Sequence, residues 1–147
     1  MIHWAYKHFN DLTVSELYAI IALRNIVFVV EQNCVYNDTD DKDLDCWHLC
    51  GYYENELVAY ARIIRPGVSY PQASIGRVVT HPDFRKKGFG IELMKLAIEK
   101  TRSEFNINAI KISAQSYLIN FYQSLGFGII SETYLEDGIP HVAMLYQ

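Results

Sequence analysis

The sequence predicts a mixed α/β domain, and three observations carry that prediction. Short β-branched or alternating stretches bounded by turn residues recur along the chain and read as strands. Residues 13–32 and 91–105 repeat apolar residues at helical spacing. Between residues 74 and 114 the order is strand, helix, strand, a β-α-β core with antiparallel hairpins around it.

Taken in order, residues 2–9 read as a first strand. Thr13-Val14-Ser15-Glu16 is a capping box, in which the Thr13 hydroxyl and the Glu16 carboxylate satisfy reciprocal backbone donors, and it opens a helix running toward Gln32. On that helix Leu17, Ile21, Arg24 and Phe28 share a face, so Arg24 interrupts an apolar stripe. If the stripe is buried, its charge must find a carboxylate, a carbonyl or a polar cleft; ion pairing in the core, snorkelling to solvent and a substrate role all satisfy that need. Residues 44–53 and 57–64 read as two strands joined around Glu54-Asn55-Glu56, and Arg65-Pro66-Gly67 ends the second. Residues 74–80 form a central strand that His81-Pro82-Asp83 breaks. Ile91, Met94, Ala97/Ile98, Thr101 and Phe105 then mark one face of a helix. Residues 109–114 read as a strand and residues 117–125 as a helix stopped by Gly126. Residues 129–135 and 141–146 make a closing pair with Asp137-Gly138 in the turn.

With 147 residues, half of them apolar, the chain is long enough for one well-buried core and too short for two ordinary domains, so residues 1–147 are read as one domain. A net charge of −4 argues against bulk nucleic acid or anionic membranes as partners. No secretory segment, membrane span or internal repeat is legible, and the cytoplasm is the expected location. Three cysteines, Cys34, Cys46 and Cys50, cannot all pair internally, which suits a reducing compartment. Cys46, His48 and Cys50 would share a strand face, but C-x-H-x-C is not a common zinc spacing, and packing without a metal is expected. The acidic run from Asp38 to Asp45 fails as a calcium loop because Asp43 stands where the glycine belongs and Leu49 where the bidentate Glu belongs. It reads either as a solvated loop or as a negative border that draws a cationic amine.

The most informative segment is Arg85-Lys86-Lys87-Gly88-Phe89-Gly90, a basic, glycine-punctuated turn at a helix start. Free backbone N–H groups and the positive end of the helix dipole favour a phosphate there. Glycines let the backbone approach, and the three cations add mobile donors. The segment is not a G-x-x-x-x-G-K-[ST] loop, and the dinucleotide fingerprint fails because Leu93 occupies its third glycine position.

The pattern R/Q-x-x-G-x-G/A after a strand resembles the acyl-CoA signature of the GNAT superfamily of N-acetyltransferases. Asn120-Phe121-Tyr122-Gln123-Ser124-Leu125-Gly126-Phe127 resembles the superfamily's later F/L-Y-x-x-x-G-F segment. Residues 23–32, Ile75-Gly76-Arg77-Val78, Ala114-Gln115 and Glu136-Asp137-Gly138-Ile139-Pro140-His141 are similar to the ElaA-type branch, over roughly residues 13 to 146. The resemblance implies the GNAT fold, a mostly antiparallel central sheet flanked by helices. It also implies transfer of an acetyl group from acetyl-CoA, without a metal, to a primary amine of a small molecule or peptide in a ternary complex; self-association into a homodimer stays open.

What the resemblance implies for individual residues is specific. The backbone N–H of Val78 would stabilise the oxyanion, with pantetheine paired along Val78, Val79 and Thr80. Arg85, Lys86, Lys87, Gly88, Phe89 and Gly90 would hold the pyrophosphate, and Gln115 and Phe121 the amide chain and its wall. Gln115 stands where many relatives have Asn. Tyr122 would protonate the departing sulfur. Some relatives carry a Glu base early in the central strand, where this chain has Ser74, which leaves Glu31 and His48 as candidates. Two other functions compete: a non-catalytic acyl-CoA sensor, which would keep the loop but not need Tyr122, and a synthase of the acyl-homoserine-lactone type.

Overall fold

A computed structural model describes all 147 residues. Four antiparallel strands, β1 (His3–His8), β2 (Trp47–Tyr53), β3 (Glu56–Ile64) and β4 (Ser74–Thr80), form one sheet in sequence order. A second sheet has the order β5 (Ile110–Gln115), β8 (Ile139–Tyr146), β6 (Phe127–Ile129), with β7 (Tyr134–Glu136) also pairing β8. Helix α1 (Val14–Arg24) packs Ile20 and Leu23 against Cys50, Tyr60 and Val79 in one core layer. Helix α2 (Phe89–Phe105) packs Leu93, Met94, Ala97 and Ile98 into the larger layer, which also holds Tyr122 of the short helix α3 (Ile119–Ser124). This is the mixed, mostly antiparallel architecture the sequence predicts. No helix is long and apolar enough to cross a membrane.

Local signals translate directly. Thr13 and Glu16 make both bonds of the capping box, at 3.1 and 2.8 Å. The two-residue turns Glu54-Asn55 and Asp137-Gly138 have positive φ at both positions, the geometry that matches the twist of a hairpin.

Four expectations are corrected. The first helix does not continue regularly to Gln32: residues Asn25–Glu31 form a π-helical turn in which Gln32 N–H reaches Val27 O at 3.0 Å. The run Ile26-Val27-Phe28-Val29-Val30 crowds the preceding turn of an α-helix, and the wider coil relieves it. The buried stripe is Ile20, Leu23, Arg24 and Val27, one position away from the expected face. On α2, Ile91 is exposed and the helix begins earlier, at Phe89. The closing strand of residues 129–135 is split into β6 and β7, because Ser131 Oγ takes the Ala143 N–H at 2.9 Å and interrupts the ladder.

The acidic run is the largest correction. It is neither a solvated loop nor a cation-steering border. Asp41–Asp45 coil into a 3-10 helix capped by Asp40, so β2 begins at Trp47 rather than residue 44. Asp38 and Asp43 are buried. Arg24, 1 % exposed, donates to Asp38 Oδ2 at 2.6 Å, to the Asp38 carbonyl at 2.8 Å and to Asp43 Oδ1 at 2.8 Å. Arg62 holds Asp40 at 2.6 Å and Asp43 at 2.9 Å, and Arg77 holds Asp38 at 2.9 Å. Arg65 pairs with Asp45 at 2.7 Å. Arginines of α1, β3 and β4, with Arg65 just after β3, thus pair with Asp38, Asp40, Asp43 and Asp45, and Arg24 belongs to the core rather than to a substrate.

Candidate active site

The two sheets meet at one point. Ala73 bridges Ile110 in parallel, and Lys111 N–H donates to Ala73 O at 2.9 Å. Beyond that contact β4 and β5 share no ladder, and a cleft of about 570 Å³ opens between them. Backbone groups on the parting edges are free to pair with an extended ligand.

A bulge shapes the β4 wall. Tyr60 pairs with Val79 and Arg62 with Gly76, so Ala61 opposes both Arg77 and Val78. Arg77 has φ +51°, a conformation that is costly for a residue with a side chain and persists only when its surroundings hold it. The hold is visible: the Arg77 guanidinium reaches Asp38 Oδ1 at 2.9 Å and the Asp38 carbonyl at 3.0 Å. Asp38 in turn is clamped by Arg24. The buried ion cluster therefore fixes the bulge that takes Val78 out of register, and Val78, Val79 and Thr80 all line the cleft.

At one end of the cleft lies the loop of residues 85–90. Lys86 (φ +65°) and Gly88 (φ +79°) alternate with ordinary residues and form a concave run of N–H groups. Gly88 is the N-cap of α2 and supplies no side-chain cap, so the first helical N–H groups stay available. A Cβ on Gly88 would meet nothing within 4 Å, which assigns the glycine to backbone conformation rather than to space. Arg85, Lys86, Gly88, Phe89 and Gly90 line the cleft, whereas Lys87 is exposed and does not line it. An uncapped 17-residue helix with two flanking cations fits an anionic phosphate group.

Gln115, Phe121 and Tyr122 line the same cleft further along. Gln115 exchanges two hydrogen bonds with Gln32, at 3.0 and 3.2 Å, tying β5 to the end of the π turn. Tyr122 is buried, and burial together with Tyr117 raises its pKa, so the phenol stays protonated at neutral pH.

Both candidate bases are engaged by partners within the protein. His48 is buried away from the cleft, with Nδ1 2.6 Å from Tyr60 Oη and Nε2 3.1 Å from the Asp43 carbonyl. Burial lowers its pKa and both nitrogens are occupied within the core. Glu31 lies at the mouth, its carboxylate bound by both Arg85 Nη atoms at 2.7 and 2.6 Å. Those hydrogen bonds hold it below the usual carboxylate range, which makes it a weak base. A phosphate bound at this helix start would have to compete with Glu31 for Arg85. Exposed pairs are worth about 0.2–1 kcal/mol, so Glu31→Gln should tighten CoA binding by roughly 1.4- to 5-fold at low salt, read by calorimetry. Weaker binding would show that Glu31 positions Arg85 rather than occupying it.

Sequence reasoning missed several cleft residues. Gln32 and Cys34 follow the π turn, Arg77 is the bulge, and Glu136 and His141 sit on the β7–β8 hairpin. A polar His inside the otherwise apolar strand Ile139–Tyr146 was the available signal. No group of three or more His, Cys, Asp or Glu side chains is placed to hold a metal.

A fold in which β4 and β5 part over an uncapped, basic helix start defines an acyl-CoA transferase class, and comparison with known proteins makes the assignment. The family profile "Acetyltransferase (GNAT) domain" matches residues 24–147, and the chain belongs to that family. Protein ElaA of Escherichia coli (strain K12) is 44 % identical over 146 residues, covering 98 % of this chain and 95 % of ElaA. A UPF0039 protein of Schizosaccharomyces pombe is 48 % identical over 145 residues, covering 97 % of this chain and 95 % of its own. The crystal structure of E. coli ElaA superposes with a TM-score of 0.94 over the full length of both chains at 42 % identity. That of an acyl-CoA N-acyltransferase from Pseudomonas aeruginosa has a TM-score of 0.94 at 40 % identity, again over the full length of both.

Proposed function

We propose that the protein transfers an acetyl group from acetyl-CoA to a primary amine, within a ternary complex held in the cleft between β4 and β5. The observation that carries this reading is that Arg85, Gly88 and Gly90 of the basic loop, Val78 beside the Arg77 bulge, and Tyr122 all line one cleft. In this reading the helix start and Arg85 bind the pyrophosphate, and the edges of β4 and β5 align the pantetheine. The Val78 N–H faces the developing oxyanion, where a preorganised donor contributes most. Tyr122 donates its proton to the departing sulfur, and burial keeps that proton in place until charge develops there.

Incubating the pure protein with acetyl-CoA and an amine panel of spermidine, tyramine and a lysine-containing peptide, while following free thiol, tests the activity. Thiol release above the protein-free rate supports transfer. Tight CoA binding with no release would identify an acyl-CoA sensor instead. Tyr122→Phe removes only the hydroxyl, so kcat should fall roughly 10- to 1,000-fold with CoA affinity little changed. Equal turnover would reduce Tyr122 to a packing residue.

A further inference from the structure

His141 and Glu136 form a polar pair on the cleft wall that the reading above leaves without a role. His141 Nδ1 lies 2.7 Å from the Ile139 carbonyl oxygen. A carbonyl can only accept, so Nδ1 carries the hydrogen and, in the neutral ring, Nε2 keeps its lone pair. Nε2 faces Glu136 Oε2 at 3.5 Å, and because an ionised carboxylate has no hydrogen to give, the lone pair stays free to take a proton. Glu136 is steadied in turn: Ser113 Oγ donates to its Oε1 at 3.1 Å and lies 2.5 Å from Tyr134 Oη. The Tyr134 ring stacks on the imidazole, with centroids 6.3 Å apart and planes at 21°.

Position supports the same role. His141 is only 6 % exposed yet lines the cleft together with Glu136. Across the β5–β8 ladder its register partner is Gln115. Partners in an antiparallel pair project to one face with Cα atoms about 5 Å apart, so His141 stands one strand from the residue placed against the cofactor's amide chain. Other titratable groups near it are Tyr134 on β7 and Asp137 in the turn, while Tyr36, Arg77 and Cys34, whose Sγ donates to the Asp137 carbonyl at 3.5 Å, line the same cleft.

We propose that His141 is the general base of the transfer and that Glu136 is its positioning carboxylate; the proposal rests on the acyltransferase reading. The amine nitrogen forms the C–N bond to the thioester carbonyl with its lone pair, and the carbonyl π electrons move to oxygen. Nε2 takes the proton that nitrogen sheds. Collapse re-forms C=O and breaks C–S, and the sulfur leaves with the bonding pair and takes the Tyr122 proton. Solvent then removes one proton from His141 and returns one to Tyr122, so one amide and one thiol are made with no redox partner. Glu136 stabilises the imidazolium formed midway.

The test uses the full chain with acetyl-CoA and the amines spermidine, tyramine and a lysine-containing peptide. His141→Gln should lower kcat about 100- to 10,000-fold near neutral pH while CoA affinity by calorimetry holds. Imidazole added to His141→Ala should restore turnover, a rescue that a packing defect would not show. Glu136→Gln should lower kcat about 10-fold with CoA affinity unchanged, and Glu136→Asp, which keeps the carboxylate, should recover part of that loss. If His141→Gln fails to fold, the imidazole rescue and the two Glu136 variants decide. Turnover of His141→Gln within about 3-fold of the parent, absent rescue, or equal turnover of Glu136→Gln and Glu136→Asp would overturn the base assignment while the transferase reading stands. A parent inert toward every amine would overturn both.

Discussion

Arg24→Met should destabilise the protein by about 3–5 kcal/mol, a large part of the roughly 5–15 kcal/mol that holds an ordinary domain together. Methionine fills the volume but leaves Asp38 and Asp43, at 1 % and 10 % side-chain exposure, short of their closest cation. Denaturant titration measures the loss, and a companion Asp43→Asn should recover part of it in the double variant. The same cluster sets an acid limit. Burial alone would raise the Asp43 carboxyl, but the hydrogen bonds and charge of Arg24, with Arg62, outweigh it and hold the carboxyl below its ordinary value of 3.8. A depressed carboxylate contributes stability above the unfolded pKa and loses it as pH falls through the folded one. The parent should therefore weaken below about pH 4, and Arg24→Met should begin to weaken at higher pH. An Arg24→Met variant as stable as the parent would remove the cluster from any account of the fold.

Gly88→Glu should cost roughly 1,000-fold in CoA affinity. A unit charge about 4 Å from a phosphate repels it by about 4 kcal/mol at an effective dielectric constant of about 20, or nearly three decades in Kd. Protein atoms do not crowd this position, so the effect comes from charge and from φ +79°, not from a clash. Gly88→Ala separates the two contributions: it keeps the conformational cost of about 1–2 kcal/mol without the charge, and should lose only about 5- to 30-fold. Calorimetry that finds unchanged CoA binding in a folded Gly88→Glu protein would place the phosphate elsewhere.

The amino-acid sequence by itself determined what short-range backbone physics controls. The capping box at Thr13 and Glu16, the two tight turns, the helix start after Gly88 and the alternation of the strands depend on residues within a few positions of one another, so the basic, glycine-punctuated helix start was legible in the sequence. Family resemblance added Tyr122 and Val78, which no periodicity distinguishes from packing residues. Tertiary structure decided which charges meet and what faces the cleft. Arg24 finds Asp38 and Asp43 across 14 and 19 residues, and Arg85 finds Glu31 across 54, pairings that local spacing does not encode. His48 and His141 are both plausible bases in a string of letters. The register of β8 against β5 puts His141 beside Gln115 on the cleft wall, while the β2–β3 pairing seals His48 against Tyr60 in the core. A one-residue change of register would exchange the faces of every side chain on a strand, so a residue's access to the cleft is a property of the assembled sheet.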